Sequence, residues 1–540
     1  MCLNVTYLES LRHGTKRSGL ARIKPGTVSV LFSQNVFNRI SSLQKYTHLI
    51  IIFSGTILRI PLLFTPLSFA IDEWRQTDTA SIAYLFYANG HRLFYPQIFW
   101  GGSGPGYVET EFQIYPYLVS LLYNFWGENY WLGKIVSLLF SVFSWIMFYP
   151  LARKFLGETR AAKWALFFLV FSPLCLRYSV AFMPEATVMF FYVASLYFFV
   201  SWTKSSRKQH LYLTGLCTAF AILVKPTSIH VGLVFALFAL STMGVEVLKR
   251  REIWLSALIA LAPGVLWYLH ARNIYLTYGN TFGLLSGGDS KFGNLRSWLG
   301  LHLYWHLPYL DLKWILGFGA VALFLAGVAI ALKRKELRLV VFGIVTVSFY
   351  YLIVSRYSHE EWGIQYHVYM LPFAAFAVGL GASWVLNKYK GYARTGILGI
   401  SMGVFTGATL FLFVQMLFTG YSNSYRCAGY VRELVPPNER IVVSTTSFAI
   451  DDGIPNNYQE PQIFYYSQRF GWSLPADRHT PEKLAEYHKL GADYFVMYSQ
   501  DLLESNPLLD TYLQDNSTQM GPGLDKGCAI YRLRHPQQLN

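Results

Sequence analysis

The stretch THLIIIFSGTILRIPLLFTPLSFAIDEWRQTD, residues 47–78, runs an apolar segment straight into a cluster of charges. A bilayer-crossing helix needs about 20 mostly apolar residues. Residues 48–68 meet that length, and Asp72, Glu73, Arg75 and Asp78 follow at the mouth of the span. Working outward, ten more runs have the same character: 131–151, 161–175, 181–202, 210–225, 228–248, 253–270, 314–332, 338–354, 366–387 and 394–419. The run QIYPYLVSLLYNFWG, 113–127, is apolar but short and reads as an interfacial or re-entrant helix.

Composition agrees. Of 540 residues, 53% are hydrophobic and only 14% charged, against about 25% charged in soluble globular chains. Aromatics make up 17%, a content suited to membrane interfaces. These values exclude a soluble multidomain enzyme, a disordered scaffold and a fibrous protein. The net charge of +15 reads as basic cytoplasmic loops, not as a nucleic-acid surface.

Lys and Arg set the expected orientation. The N-terminal segment and alternate connections carry 24 of them, and the opposite connections carry nine. The alternation holds throughout only if 113–127 does not cross. The chain therefore reads as a cytoplasmic N-terminal segment (1–47) with no cleavable signal, then a membrane domain (48–420) of about eleven spans, plausibly 11–13, with a first outer loop at 69–130. A C-terminal extracytoplasmic region (421–540) follows. That region has ten Lys+Arg against fourteen Asp+Glu. Helical patterns (SYRCAGYVRELV, TPEKLAEYHKL) interleaved with β-like runs (RIVVSTT, DYFVMYS, CAIYRLR) predict a small α/β domain with a partly parallel sheet. It has no phosphate-binding glycine pattern. Cys427 and Cys528 fall in it, where a disulfide can persist and two buried thiols fit equally well. Cys175 and Cys217 sit in apolar runs and read as small packing residues.

The first outer loop is rich in chemistry. It holds Asp72, Glu73, Asp78, Glu109 and Glu111, with Arg75 and a glycine-rich WGGSGPG turn. Carboxylates beside a cation suit a general base near an anionic group. Glu185, in RYSVAFMPEATVMFF, lies at the outer end of another span, and a carboxylate at a membrane boundary is a functional candidate. Arg177, Lys225, Arg272, His359 and His367 fall on the same face. Guanidinium and ammonium groups would stabilise a leaving phosphate. No DxD pair occurs among the loop acids and no HExxH spacing in the chain, so no tightly bound metal and no cofactor are expected.

Taken in order, these segments resemble the GT-C superfamily of membrane glycosyltransferases that use polyprenyl-phosphate sugars. The branch most similar is that of protein O-mannosyltransferases and lipid A aminoarabinose transferases. The resemblance rests on Asp72-Glu73 with Arg75, Glu111 before Tyr115-Pro116-Tyr117-Leu118, ARKFLGETRAA, the segment ending in Met183-Pro184-Glu185-Ala186, Lys225 in LVKP, and YHVYMLP. It implies inverting transfer, outside the membrane, from a polyprenyl-phosphate-linked sugar to a glycan, lipid or protein acceptor. Asp72 would be the base, with Glu73 as its alternative, and Glu185 would orient acceptor or donor. Arg75 and Lys225 would hold the lipid phosphate, and Glu111 and Asp78 would contact acceptor or sugar. The aminoarabinose enzymes carry E-K-P where this chain has Glu111-Phe112-Gln113. A phosphate-binding lysine is thus absent there, and Arg272 and His367 are the candidate substitutes.

Two other classes compete. A flippase for lipid-linked oligosaccharide would place charges at mid-membrane and show internal repeats. The acids here cluster at one face and the halves show no repeat. A polysaccharide polymerase or ligase would rely on a large late outer loop.

Overall fold

The computed structural model describes residues 45–69, 72–286, 295–353, 363–451, 454–498, 503 and 506–534. Every apolar run read from the sequence contains a helix. The membrane part consists of α1 (Lys45–Phe64), α2 (Asp72–Ala88), the two-residue β1 (Val108–Glu109), α3 (Ile114–Trp126), α4 (Tyr130–Leu156), α5 (Thr159–Phe171), α6 (Pro173–Tyr178), α7 (Glu185–Ser205), α8 (Lys208–Val224), α9 (His230–Met243), α10 (Arg251–Tyr278), β2 (Asn280–Thr281), α11 (Leu295–Leu299), α12 (Leu301–Leu310), α13 (Val321–Lys333), α14 (Leu337–Ser348), α15 (Met370–Lys388) and α16 (Gly391–Leu417). Among the described residues, seven helices, some with their flanking turns, are long and apolar enough to cross a bilayer. The others are shorter for local reasons. Pro173 cannot continue α5, because the residue before a proline avoids helical geometry, so the run 161–175 splits into α5 and α6. The run 314–332 is interrupted by Gly317-Phe318-Gly319, where Phe318 takes a positive φ of 55°.

α13 and α15 approach closely because both lack side chains at the crossing. A Cβ on Gly327 would lie 1.8 Å from the Ala377 carbonyl oxygen, and one on Gly381 1.9 Å from that of Leu323. α3 is amphipathic: Tyr115, Val119 and Tyr123 are buried, while Phe125 is 78% exposed. That pattern suits a helix lying along an interface.

The C-terminal region is a mixed sheet with helices. It comprises α17 (Asn423–Leu434), β3 (Arg440–Ser444), β4 (Ile450–Asp451), β5 (Ile454–Pro455), α18 (Gln462–Ser467), β6 (Gly471–Leu474), α19 (Pro481–Lys489), β7 (Ala492–Met497), α20 (Pro507–Asn516), β8 (Ser517–Gly523) and β9 (Cys528–Leu533). The five-stranded sheet has the order β6-β3-β7-β9-β8. β3 pairs parallel with β6 and β7, and β9 pairs antiparallel with β7 and β8. Cys427 on α17 and Cys528 on β9 form a disulfide. Cys175 and Cys217 are free thiols.

This region docks on the segment between α1 and α4. The Gly102 N–H donates to the Gly471 carbonyl at 2.8 Å, and the Gly471 N–H to that of Phe99 at 3.0 Å. The Trp74 indole donates to the Gln459 carbonyl at 2.5 Å, and the Gln468 amide to Glu128 at 2.6 Å.

Candidate active site

α2 opens with Asp72 and Glu73, two acids in the first turn, where the helix dipole favours negative charge. They serve different neighbours. Asp72 is buried: Oδ2 accepts from Arg177 Nε at 2.5 Å and Oδ1 from the Tyr178 hydroxyl at 3.2 Å. The Arg177 guanidinium stacks 4.7 Å from the Trp314 ring. Glu73 Oε1 accepts from Ser422 at 2.6 Å and from Tyr466 at 3.1 Å, both beyond the last membrane helix. Burial raises the Glu73 pKa, against those two hydrogen bonds.

One helical turn on, Arg75 Nη2 forks to both Glu111 oxygens at 3.1 and 3.0 Å. The Thr110 hydroxyl also donates to Glu111, at 2.8 Å. Burial disfavours the Arg75 charge, but Glu111, Asp78 and Glu185 outweigh it and its pKa rises. Asp78 is fully buried. The Trp100 indole donates to its Oδ1 at 3.0 Å, and Oδ2 has no hydrogen-bond partner. Burial pushes the Asp78 pKa up to about 7.

Lys225 ends α8 because Pro226 follows, and the pre-proline restriction holds it extended at φ −150°. Its ammonium ion-pairs with Glu185, the first residue of α7, and lies 4.8 Å from the centre of the Tyr366 ring. Both partners of this pair are buried. Tyr366 feels the fields of Lys225, Glu111, Arg75 and Glu185 together. Two ion pairs, Arg75–Glu111 and Lys225–Glu185, therefore border one tyrosine at the mouth of the bundle.

The remaining expected residues lie around this centre. His367 is buried, with Nδ1 2.6 Å from Asp311 Oδ1, and the Tyr351 hydroxyl donates to Asp311 Oδ2 at 2.5 Å. Arg272, on α10, is exposed and acts electrostatically on Glu109. Glu109 itself accepts from Thr281 at 2.6 Å and Ser286 at 3.1 Å. His359 lies outside the described residues. Tyr178, Tyr366, Trp100 and Asp311 were not assigned to the site from sequence. Arg177 was singled out as a cation on the acids' face, eight residues before Glu185, but not as the partner of Asp72. Among the described residues, no group of three His, Cys, Asp or Glu side chains converges as metal ligands.

The resemblance read from the sequence holds. A family model described as dolichyl-phosphate-mannose-protein mannosyltransferase matches residues 113–268. The fold is similar to that of ArnT from Cupriavidus metallidurans bound to undecaprenyl phosphate, with 14% identity and a TM-score of 0.63 over 91% of this chain and 99% of that one. It is also similar to the Archaeoglobus fulgidus oligosaccharyltransferase tethered to an acceptor peptide, with 14% identity and a TM-score of 0.57 over 92% of this chain and 75% of that one. The same archaeal enzyme in complex with an inhibitory peptide and a dolichol phosphate gives 0.55. No curated protein sequence matches the chain. The chain has the GT-C fold.

Proposed function

We propose that this chain, a membrane glycosyltransferase of the GT-C fold, moves a sugar from a polyprenyl-phosphate-linked donor to an acceptor hydroxyl or amine on the extracytoplasmic side, with inversion. The observation that carries this reading is the buried Asp72 carboxylate on the same helix as Arg75, beside two cation–carboxylate pairs at one end of the bundle. Related folds hold undecaprenyl phosphate and dolichol phosphate, which supports a lipid phosphate as the donor's anionic group.

In this reading Arg177 holds Asp72 Oδ2. Among the described residues Oδ1 carries only the longer Tyr178 contact, and it is the atom that takes the acceptor proton. The acceptor heteroatom attacks the anomeric carbon as the bond from that carbon to the phosphate oxygen breaks on the opposite side. The leaving lipid phosphate keeps the bonding pair, and Arg75 and Lys225 stabilise its charge. Arg75 uses Nη2 alone on Glu111, so its other N–H groups can address phosphate oxygens. Glu185 and Glu111 hold the two cations in place. Glu73 is turned toward the C-terminal region and serves as an anchor.

The test is Asp72→Asn, which keeps the shape and removes the basicity. A positioned base contributes about 10²–10⁴-fold, so turnover should fall by that order while binding of undecaprenyl phosphate is kept. Near-normal turnover would remove Asp72 from the role. An inactive Glu73→Gln beside it would move the base one residue on.

A further inference from the structure

A cavity of about 450 Å³ lies where three segments meet outside the bundle: the WGGSGPG turn, the α10–β2 connection, and the face of the C-terminal region around β6. Its size falls within the roughly 300–1,000 Å³ of small-ligand sites. The chemistry of its wall is unusual. Among the described residues lining it there is no Lys, Arg, Asp or Glu, and no Val, Leu, Ile or Met. The wall is aromatic (Trp100, Tyr278, Trp472), amide (Asn280, Gln459) and glycine backbone.

Such a wall does not suit a phosphate, which needs cations, nor a lipid chain, which needs aliphatic surface. It suits a ligand that is neutral, carries many hydroxyls and has flat C–H faces. A sugar ring fits that description: its C–H face lies on an aromatic ring while amides and backbone groups meet its hydroxyls. Trp472 is half-buried and leans on Tyr487, with ring centres 5.7 Å apart. Tyr278 is 39% exposed. Asn280 donates one amide hydrogen to the Tyr107 carbonyl at 3.0 Å, which fixes the side chain.

The sequence around the turn is built to make the wall. Gly102 has a φ of +72°, and a Cβ there would lie 2.6 Å from Trp472 Nε1. Only glycine lets the turn lie against that indole. The cavity also adjoins the active site. Trp100 lines it and donates its indole hydrogen to Asp78. Thr281 lines it and pairs in register with Glu109, two residues before Glu111.

We propose that this cavity is a glycan subsite on the acceptor side, taking a neutral sugar unit of the acceptor next to the one that is glycosylated. The assignment rests on the glycosyl-transfer reading for its place in the reaction, but its ligand chemistry does not depend on it. The acceptor class favoured is therefore a glycan or glycolipid with at least one neutral hexose or N-acetylhexosamine.

The full-length protein in nanodiscs, carrying Asp72→Asn to prevent turnover, would be applied to an array of neutral hexose and N-acetylhexosamine oligosaccharides. Binding is expected, roughly tenfold weaker with Trp472→Ala and largely retained with Trp472→Phe. Undecaprenyl phosphate binding should be equal in all three. Binding to no glycan, equal binding with and without the Trp472 ring, or preference for a neutral peptide would overturn the assignment. Because the readout is binding, a failed transfer assay would sink the catalytic reading and leave this result standing on its own.

Discussion

Replacing Lys225 by methionine removes one half of a buried ion pair. The Lys225 and Glu185 side chains are 5% and 0% exposed, and Glu185 Oε2 has no hydrogen-bond partner among the described residues. Leaving one such charge uncompensated costs about 3–5 kcal/mol, whereas removing both partners is often close to neutral. Lys225→Met and Glu185→Gln should therefore each lower the apparent Tm, and the double variant should recover most of the loss. The recovered protein then isolates function from folding. If Lys225 holds the lipid phosphate, the stable double variant still binds it poorly, by about 1.5–3 kcal/mol, or roughly 10–150-fold in Kd. The assay is tryptophan-fluorescence unfolding in detergent, paired with titration of undecaprenyl phosphate. A single variant as stable as the wild type would contradict the buried pairing. A double variant with unchanged Kd would place the phosphate elsewhere.

Asp78 gives a pH test. Its pKa rises from 3.8 to about 7 through burial, so the folded state keeps a proton that the unfolded chain releases. That stability is full below about pH 4 and is lost as the pH rises through 7. Asp78→Asn, which still accepts from Trp100, should stabilise at pH 8 by on the order of 4 kcal/mol and make no difference near pH 4; a constant offset across that range would refute the burial argument. The Cys427–Cys528 bridge spans 101 residues. Losing it in a Cys427→Ser/Cys528→Ser variant should cost about 2–5 kcal/mol, read as a lower unfolding temperature that reductant does not lower further.

The membrane part was legible because a span announces itself within about twenty residues of sequence. Each apolar run contains a helix, and the proline at 173 and the Gly317-Phe318-Gly319 break only trimmed lengths. The C-terminal strands divided by composition. β7 and β9 are rich in Val, Ile, Tyr and Phe and were read. β8, STQMGPG, is an edge strand without apolar alternation, and β6, GWSL, is only four residues long. For the site, acids beside apolar spans stood out, but their partners did not. Arg177 lies 105 residues from Asp72, and Lys225 lies 40 from Glu185. Such pairings are fixed by packing, and no local spacing encodes them. Tyr366 and Trp100 were hidden among the many aromatics of the chain.

Asp72 and Glu73 are neighbours with divided allegiance. Successive residues on a helix point about 100° apart. One carboxylate is gripped by α6 of the bundle and the other by Ser422 and Tyr466 outside it. Twisting α2 to improve one grip loosens the other. The first turn of α2 thus behaves as a coupling pin between two bodies. The C-terminal region thereby bears on the rotational phase of the helix that carries Asp72, although none of its own side chains touches Asp72 among the described contacts. Forces on that region, from a bound polymer or from cleavage at its surface, would reach Asp72 through a single peptide unit.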